Sequence, residues 1–334
     1  MKNYILINGL IRDLNIFKQA LNIYIKLRSD NIINDIVIVI DIELKKDGDN
    51  IPLGNTLDTE TRDFLITNNI NIIEIENLSI DEIKKIDPII ESRPRNNLRK
   101  NTLSGLSLWR PMYSLKKGLE LLEENSYVLK TRADILMSYE LLKKIFTEYK
   151  IKLENNDLLE YKIWSSGFNE KELLLIMDFT FAGKREDLLK TCHMNGEYLI
   201  WGKNNSSGVN NYNTLWWMDI FYKKYPTIKN YYEKYVNKNC EMKFRDEDLY
   251  RECIKLYYQI LDTYFIIDSG INEYIINQSW GPNNIFNAHS ELYKPNNGNI
   301  RSEFKNSEWI KKFKKGYFND NIYIYNIYNE FYNN

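Results

Sequence analysis

The heptapeptide Asp35-Ile36-Val37-Ile38-Val39-Ile40-Asp41 is β-branched and apolar at every position between its two aspartates. A strand turns successive side chains to opposite faces, so a run with no polar alternation has to be covered on both sides. Strands of this kind belong to parallel sheets with helices on either face. The surrounding sequence supplies the helices. Tyr4-Ile5-Leu6-Ile7 is a short apolar run stopped by Asn8-Gly9, and residues 13–27 set Leu14, Phe17, Leu21 and Tyr24 on one side of a helix. Residues 58–66 read as a second helix and 70–75 as a third strand. Strands alternating with helices predict a doubly wound, Rossmann-type α/β fold with a mostly parallel sheet flanked by helices.

The pattern continues with a helix over 105–124, irregular at its start near Pro111, and a fourth strand over 127–135. A helix near 139–149, a strand near 158–164 and an apolar run over 173–181 follow. From about residue 205 the chain is rich in Tyr and Trp and reads as mostly helical, most clearly over 247–260. There is no internal repeat and no long Gly/Ser/Pro linker. The expected organisation is an α/β core over 1–200, with a mostly helical portion over 201–334 packed on the same domain.

Composition narrows the function classes. The 45 Lys+Arg are balanced by 46 Asp+Glu, without the basic excess of a non-specific nucleic-acid binder, so no nucleic-acid partner is expected. Three cysteines, none in a CxxC pair, argue against a disulfide framework or thiolate zinc site and for a reducing compartment, the cytoplasm. Asn8, Gly9 and Arg12 interrupt the first apolar run, which reads as a strand rather than a signal peptide. No apolar stretch reaches the roughly 18 residues of a spanning helix, which leaves peripheral contact with the inner membrane face compatible with the sequence. P-loop, G-x-G-x-x-G and G-x-S-x-G motifs are absent.

The segment Tyr127-Val128-Leu129-Lys130-Thr131-Arg132-Ala133-Asp134-Ile135 carries the chemistry. On a strand, Lys130, Arg132 and Asp134 share one face and approach its carboxyl end, where open α/β sheets bind ligands. Asp134 is a candidate ligand for Mn2+ or Mg2+, and the metal or Arg132 could hold a diphosphate. The spacing fits a solvated edge strand with a Lys–Asp pair equally well.

Trp109-Arg110-Pro111-Met112-Tyr113-Ser114-Leu115-Lys116-Lys117-Gly118-Leu119, followed closely by Tyr-Val-Leu-Lys-Thr-Arg-Ala-Asp, resembles the WavE-type lipopolysaccharide-synthesis proteins. Those proteins resemble glycosyltransferases of the GT-A fold. Arg110, Ser114, Gly118, Lys130, Arg132 and Asp134 match their pattern, and residues 178–188 resemble their later Asp-x-x-x-x-Gly segment. The resemblance covers roughly residues 95–190. It implies a GT-A-like fold, a nucleotide-diphosphate sugar as donor, and a glycan or glycolipid acceptor of the lipopolysaccharide or capsule type. Asp134 would hold the metal or the donor ribose, and Lys130 and Arg132 would neutralise the diphosphate.

Asp178 follows the run 173–177 and has two readings: an acceptor-side general base, or a helix N-cap with Gly183 in a tight turn. Asn8, Gly9 and Arg12 follow the first strand, where base and ribose would dock, or form an ordinary turn. Trp201, Trp216 and Trp217 are candidates for sugar stacking, against a core role. Rival functions are a nucleotidyl- or phospho-sugar transferase and a non-catalytic sugar-binding scaffold.

Overall fold

The apolar runs become the centre of a sheet. The computed structural model describes residues 1–9, 11, 14–41, 57–75, 78–88, 106–154, 156–166, 176, 180–192, 216–217, 220–231, 247–267 and 275–278. Strands β1 (Asn3–Asn8), β2 (Asp35–Asp41) and β3 (Asn71–Ile75) are parallel and are linked through helices α1 (Leu14–Ser29) and α2 (Thr59–Thr67). Helix α3 (Ile80–Ile86) opens on a capping box between Ser79 and Glu82. Helix α4 (Leu106–Leu121) then returns the chain to β4 (Tyr127–Arg132), parallel to β1 on its other side.

Three asparagines make the returns. Asn31, Asn69 and Asn125 follow α1, α2 and α4 and hold φ of 56°, 51° and 56°. Asn tolerates this left-handed region better than other residues with a Cβ. Part of the chain's asparagine richness is therefore used at helix ends.

Both faces of the sheet are buried, as the β2 sequence demands. Ile5, Ile7, Ile36, Ile38, Tyr127 and Leu129 pack under α1, α2 and α5 (Tyr139–Thr147). Leu6, Val37, Val39 and Val128 pack on the other face under α4, in a core that helix α8 (Glu247–Tyr264) joins next to β8 (Phe265–Ile267). Gly118 lets α4 settle onto the strands. A Cβ there would lie 2.5 Å from Leu6 Cδ1 and 2.9 Å from Val39 Cγ2.

The sequence reading needs several corrections beyond β4. The strand expected over 127–135 ends at Arg132; Ala133 and Asp134 form a turn, and β5 (Ile135–Met137) leaves the main sheet to pair with β9 (Ile275–Gln278). The strand near 158–164 is β6 (Ile163–Ser165). Gly183 lies not in a turn but within β7 (Phe181–Lys184), which inserts antiparallel between β4 and β6. There it faces Leu188 of α6 (Arg185–Leu189) and Ile163, too closely for a free side chain. Helix α4 runs unbroken through Pro111. The C-terminal portion has helices α7 (Pro226–Tyr231) and α8, but it also adds β8 (Phe265–Ile267) to the sheet edge, parallel to β6.

The main sheet has the order β3-β2-β1-β4-β7-β6-β8, with β7 its one antiparallel strand among the described residues. It is thus an α/β fold with a mostly parallel mixed sheet flanked by helices. No helix of the described residues is long and apolar enough to cross a membrane.

Replacing Gly118 by valine is expected to overpack the α4–β1 contact and lower stability by about 1–3 kcal/mol. Chemical denaturation measures this, and wild-type stability would contradict the close approach.

Candidate functional site

The chain turns outward in both directions from β1, to β2 and β3 on one side and to β4 on the other. The carboxyl ends of β1 and β4 therefore border the crevice where open α/β sheets take their ligands. Asn8 and Arg132 are register partners across that end.

Asn8 closes β1 and is 2% exposed. Its Nδ2 donates to Pro111 O at 3.1 Å and Ser114 Oγ at 2.9 Å, and Ser114 Oγ donates to Pro111 O at 3.1 Å. Because a carbonyl only accepts, this contact fixes the amide orientation. Asn8 Oδ1 is then buried without a hydrogen-bond partner among the described residues. Gly9 follows with φ of 101° in open space, so its backbone rather than crowding requires glycine.

Helix α4 descends antiparallel to β1. Gly118 meets Leu6, and Ser114, one turn earlier, meets Asn8. Four residues of helix advance about 6 Å, close to the two-residue step of a strand. Arg110 shares that helix face one further turn on, level with the space past the end of β1. The Arg110/Ser114/Gly118 spacing thus forms a row along β1, with Gly118 and Ser114 in contact with it.

On β4, Lys130 and Arg132 lie on the α4 side of the sheet, as their alternation with Leu129 and Thr131 requires. The Arg132 guanidinium grips Asp134: Nε donates to Oδ1 at 2.8 Å and Nη2 donates to Oδ2. The two side chains are 17% and 2% exposed, so the fork is largely shielded from water. Lys130 is 2% exposed, and its ammonium sits 5.3 Å from the Phe181 ring centroid and 5.7 Å from that of Trp216. Thr180 Oγ1 donates to Lys130 O at 3.1 Å and joins the start of β7 to this end of β4.

Asp134 was the candidate metal ligand. Both of its oxygens are engaged by Arg132, and among the described residues no group of three His, Cys, Asp or Glu is placed to hold a metal ion. A divalent cation at Asp134 would share its oxygens with the guanidinium, since each carboxylate oxygen has a second lone pair.

The structure brings together Asn8, Gly9, Ser114, Lys130, Arg132 and Asp134, with Arg110 on the helix face above them. Arg12 and Asp178 lie outside the described residues, as do Trp201 and both histidines. Trp216 and Trp217 are fully buried in the core, with Trp217 Nε1 donating to Ile176 O at 3.0 Å, so neither is open to a sugar ring. Asp187, a buried carboxylate, lies at the opposite end of the sheet. It accepts from Glu160 N, Tyr161 N and Lys190 Nζ and holds a loop in place. Burial pushes the Cys192 and Cys253 thiols up to about 12, which removes both as thiolate nucleophiles at neutral pH.

Sequence reasoning missed Phe181 and Trp216 as walls around Lys130. No spacing rule joins residues 130, 181 and 216; the β4–β7 pairing brings Phe181 to Lys130, and Trp216 packs against both from the C-terminal portion. No protein-family model matches the chain, and no curated protein matches it.

A double-mutant cycle on Arg132→Ala and Asp134→Ala is expected to return a coupling of about 1–3 kcal/mol in unfolding free energy. Additive losses would mean that the fork contributes nothing to the folded state.

Proposed function

We propose that the chain is a glycosyltransferase with a GT-A-like fold, moving a sugar from a nucleotide-diphosphate donor to a growing surface glycan or glycolipid. The acceptor would be of the lipopolysaccharide or capsule type, met in the cytoplasm at the inner membrane face. The reading rests on the sequence resemblance and on one observation. The Arg132–Asp134 fork stands at the carboxyl end of β4, beside Asn8 and Gly9 at the end of β1, where the strand order reverses.

The chemistry follows from the groups present. When the bond between the anomeric carbon and the diphosphate breaks, negative charge gathers on the departing nucleoside diphosphate. A cation already fixed in place stabilises that charge without reorganising. Arg132 is the first such group, because Asp134 holds its planar fork and limits the ordering left for binding. Lys130 adds a second positive charge on the same strand face, and Arg110 a third from α4. Asn8 and Gly9 receive the nucleoside half of the donor, and Arg12 is assigned to the same half from the sequence. Asp178 takes the proton from the acceptor hydroxyl.

Incubation with a panel of nucleotide-sugars and mixed sugar acceptors is expected to release nucleoside diphosphate. Pyrophosphate as the released product would contradict glycosyl transfer. Arg132→Ala is expected to weaken nucleoside diphosphate binding by about 10- to 100-fold in calorimetry while changing nucleoside binding little. Arg132→Lys should recover only part, because an ammonium lacks the planar fork. Equal losses for both ligands would place Arg132 outside the phosphate site.

Asp178→Asn is expected to slow transfer by about two to four orders of magnitude with donor affinity unchanged. Normal transfer would remove Asp178 as the base.

A further inference from the structure

Asn8 carries an unmet hydrogen-bond acceptor at the end of β1. Its amide is held in one orientation, because Nδ2 donates to Pro111 O at 3.1 Å and to Ser114 Oγ at 2.9 Å. Turning the amide over would set Oδ1 against Pro111 O, two acceptors with no proton between them. Oδ1 is thereby kept away from α4. It is buried, with no hydrogen-bond partner among the described residues. Loss of water without a replacement partner costs about 1–3 kcal/mol, and buried polar groups in native folds are nearly always paired. A buried hydroxyl can rotate toward a nearby acceptor. An amide oxygen fixed through its own nitrogen has to be met by a donor that comes to it.

The surroundings limit which donor that is. Gly9 follows with open space where a Cβ would stand, so the backbone leaves room past the end of β1. Across the sheet, Asn8 is the register partner of Arg132, whose guanidinium is turned to Asp134. Neighbouring strands lie about 4.8 Å apart. A ligand whose diphosphate is held at Arg132 therefore meets Asn8 with the group joined directly to that diphosphate. The ionised diphosphate itself brings only acceptors and cannot pair with Oδ1. The ribose beside it carries hydroxyls, which donate. The base lies one ring further from the phosphates.

We infer that Asn8 Oδ1 accepts a hydrogen bond from the ribose diol of the donor nucleotide, which makes Asn8 the residue through which the site reads the nucleoside's sugar. The inference rests on the donor-site reading above and deepens it, by naming the donor as a ribonucleotide whose hydroxyls are recognised. A site with a buried acceptor built for a hydroxyl discriminates against an analogue that lacks it.

The test is a binding cycle by calorimetry on the full chain. UDP, GDP, ADP and CDP are compared first, and the tightest binder is followed in its 2′-deoxy and 3′-deoxy forms. In the wild-type protein, loss of one of the two hydroxyls is expected to weaken binding by about 5- to 50-fold. In Asn8→Ala the ribo and deoxy forms should bind alike, because the acceptor is gone. A merely structural role for Asn8 would weaken all forms equally and leave the ratio between them unchanged.

A deoxy penalty that persists in Asn8→Ala would overturn the inference, as would equal affinity of all three forms in the wild type. Either result would leave the diphosphate site intact. Wild-type protein that binds none of these diphosphates would overturn the donor-site reading and this inference together. Should Asn8→Ala fail to fold, the Asn8 13Cγ signal of the wild-type protein serves instead. It is expected to shift with the ribo form and not with the deoxy form that binds weakly, and an equal shift with both would overturn the inference.

Discussion

Burial of the β1–β4 pair on both faces governs where polar chemistry can stand in this chain. Ile5, Ile7, Tyr127 and Leu129 are covered by one helical layer, and Leu6 and Val128 by the other. A polar side chain within such strands loses its water and must find a partner inside the protein. Asn8 finds Pro111 and Ser114 on α4, Arg132 finds Asp134, and Lys130 meets two aromatic rings. All three stand in the carboxyl halves of their strands, and each is fixed by a neighbour before any ligand arrives. The amino ends are closed by structural contacts, such as the Asp187 clamp and the Lys2–Glu123 pair.

Much of this organisation is legible in the sequence because it follows from local pattern. The unbroken β2 run fixes a doubly covered strand, and the 3.6-residue spacing of Phe17, Leu21 and Tyr24 fixes the helix that covers it. The three parallel strands β1, β2 and β3 and the helix before β4 lie close to where the pattern places them. Asn8, Lys130 and Arg132 stand together because parallel strands in register bring their carboxyl ends to one edge.

What the pattern could not supply depends on contacts distant in sequence. The antiparallel insertion of β7 has no period that separates it from a turn, since Gly183 suits a turn as well as a strand packed tightly on Leu188 and Ile163. The end of β4 at Arg132 was hidden because Ala133-Asp134-Ile135 continues the alternation while the backbone turns. The addition of β8 to the sheet edge depends on pairing with β6 across about 100 residues of chain. The grip of Arg132 on both oxygens of Asp134 was likewise not legible, because it needs the backbone to turn between them.

The proposed function requires the β1/β4 crevice to bind a nucleoside diphosphate. Amide and side-chain NMR during titration with a nucleoside diphosphate tests it most directly, because the signals locate the ligand whether or not turnover occurs. Shifts are expected to concentrate at Asn8, Gly9, Ser114, Lys130, Arg132 and Asp134, with residues at the amino ends of the strands, Lys2 and Asp187 among them, unmoved. Saturable binding that shifts the amino-end residues and leaves Asn8 and Arg132 unchanged would contradict it.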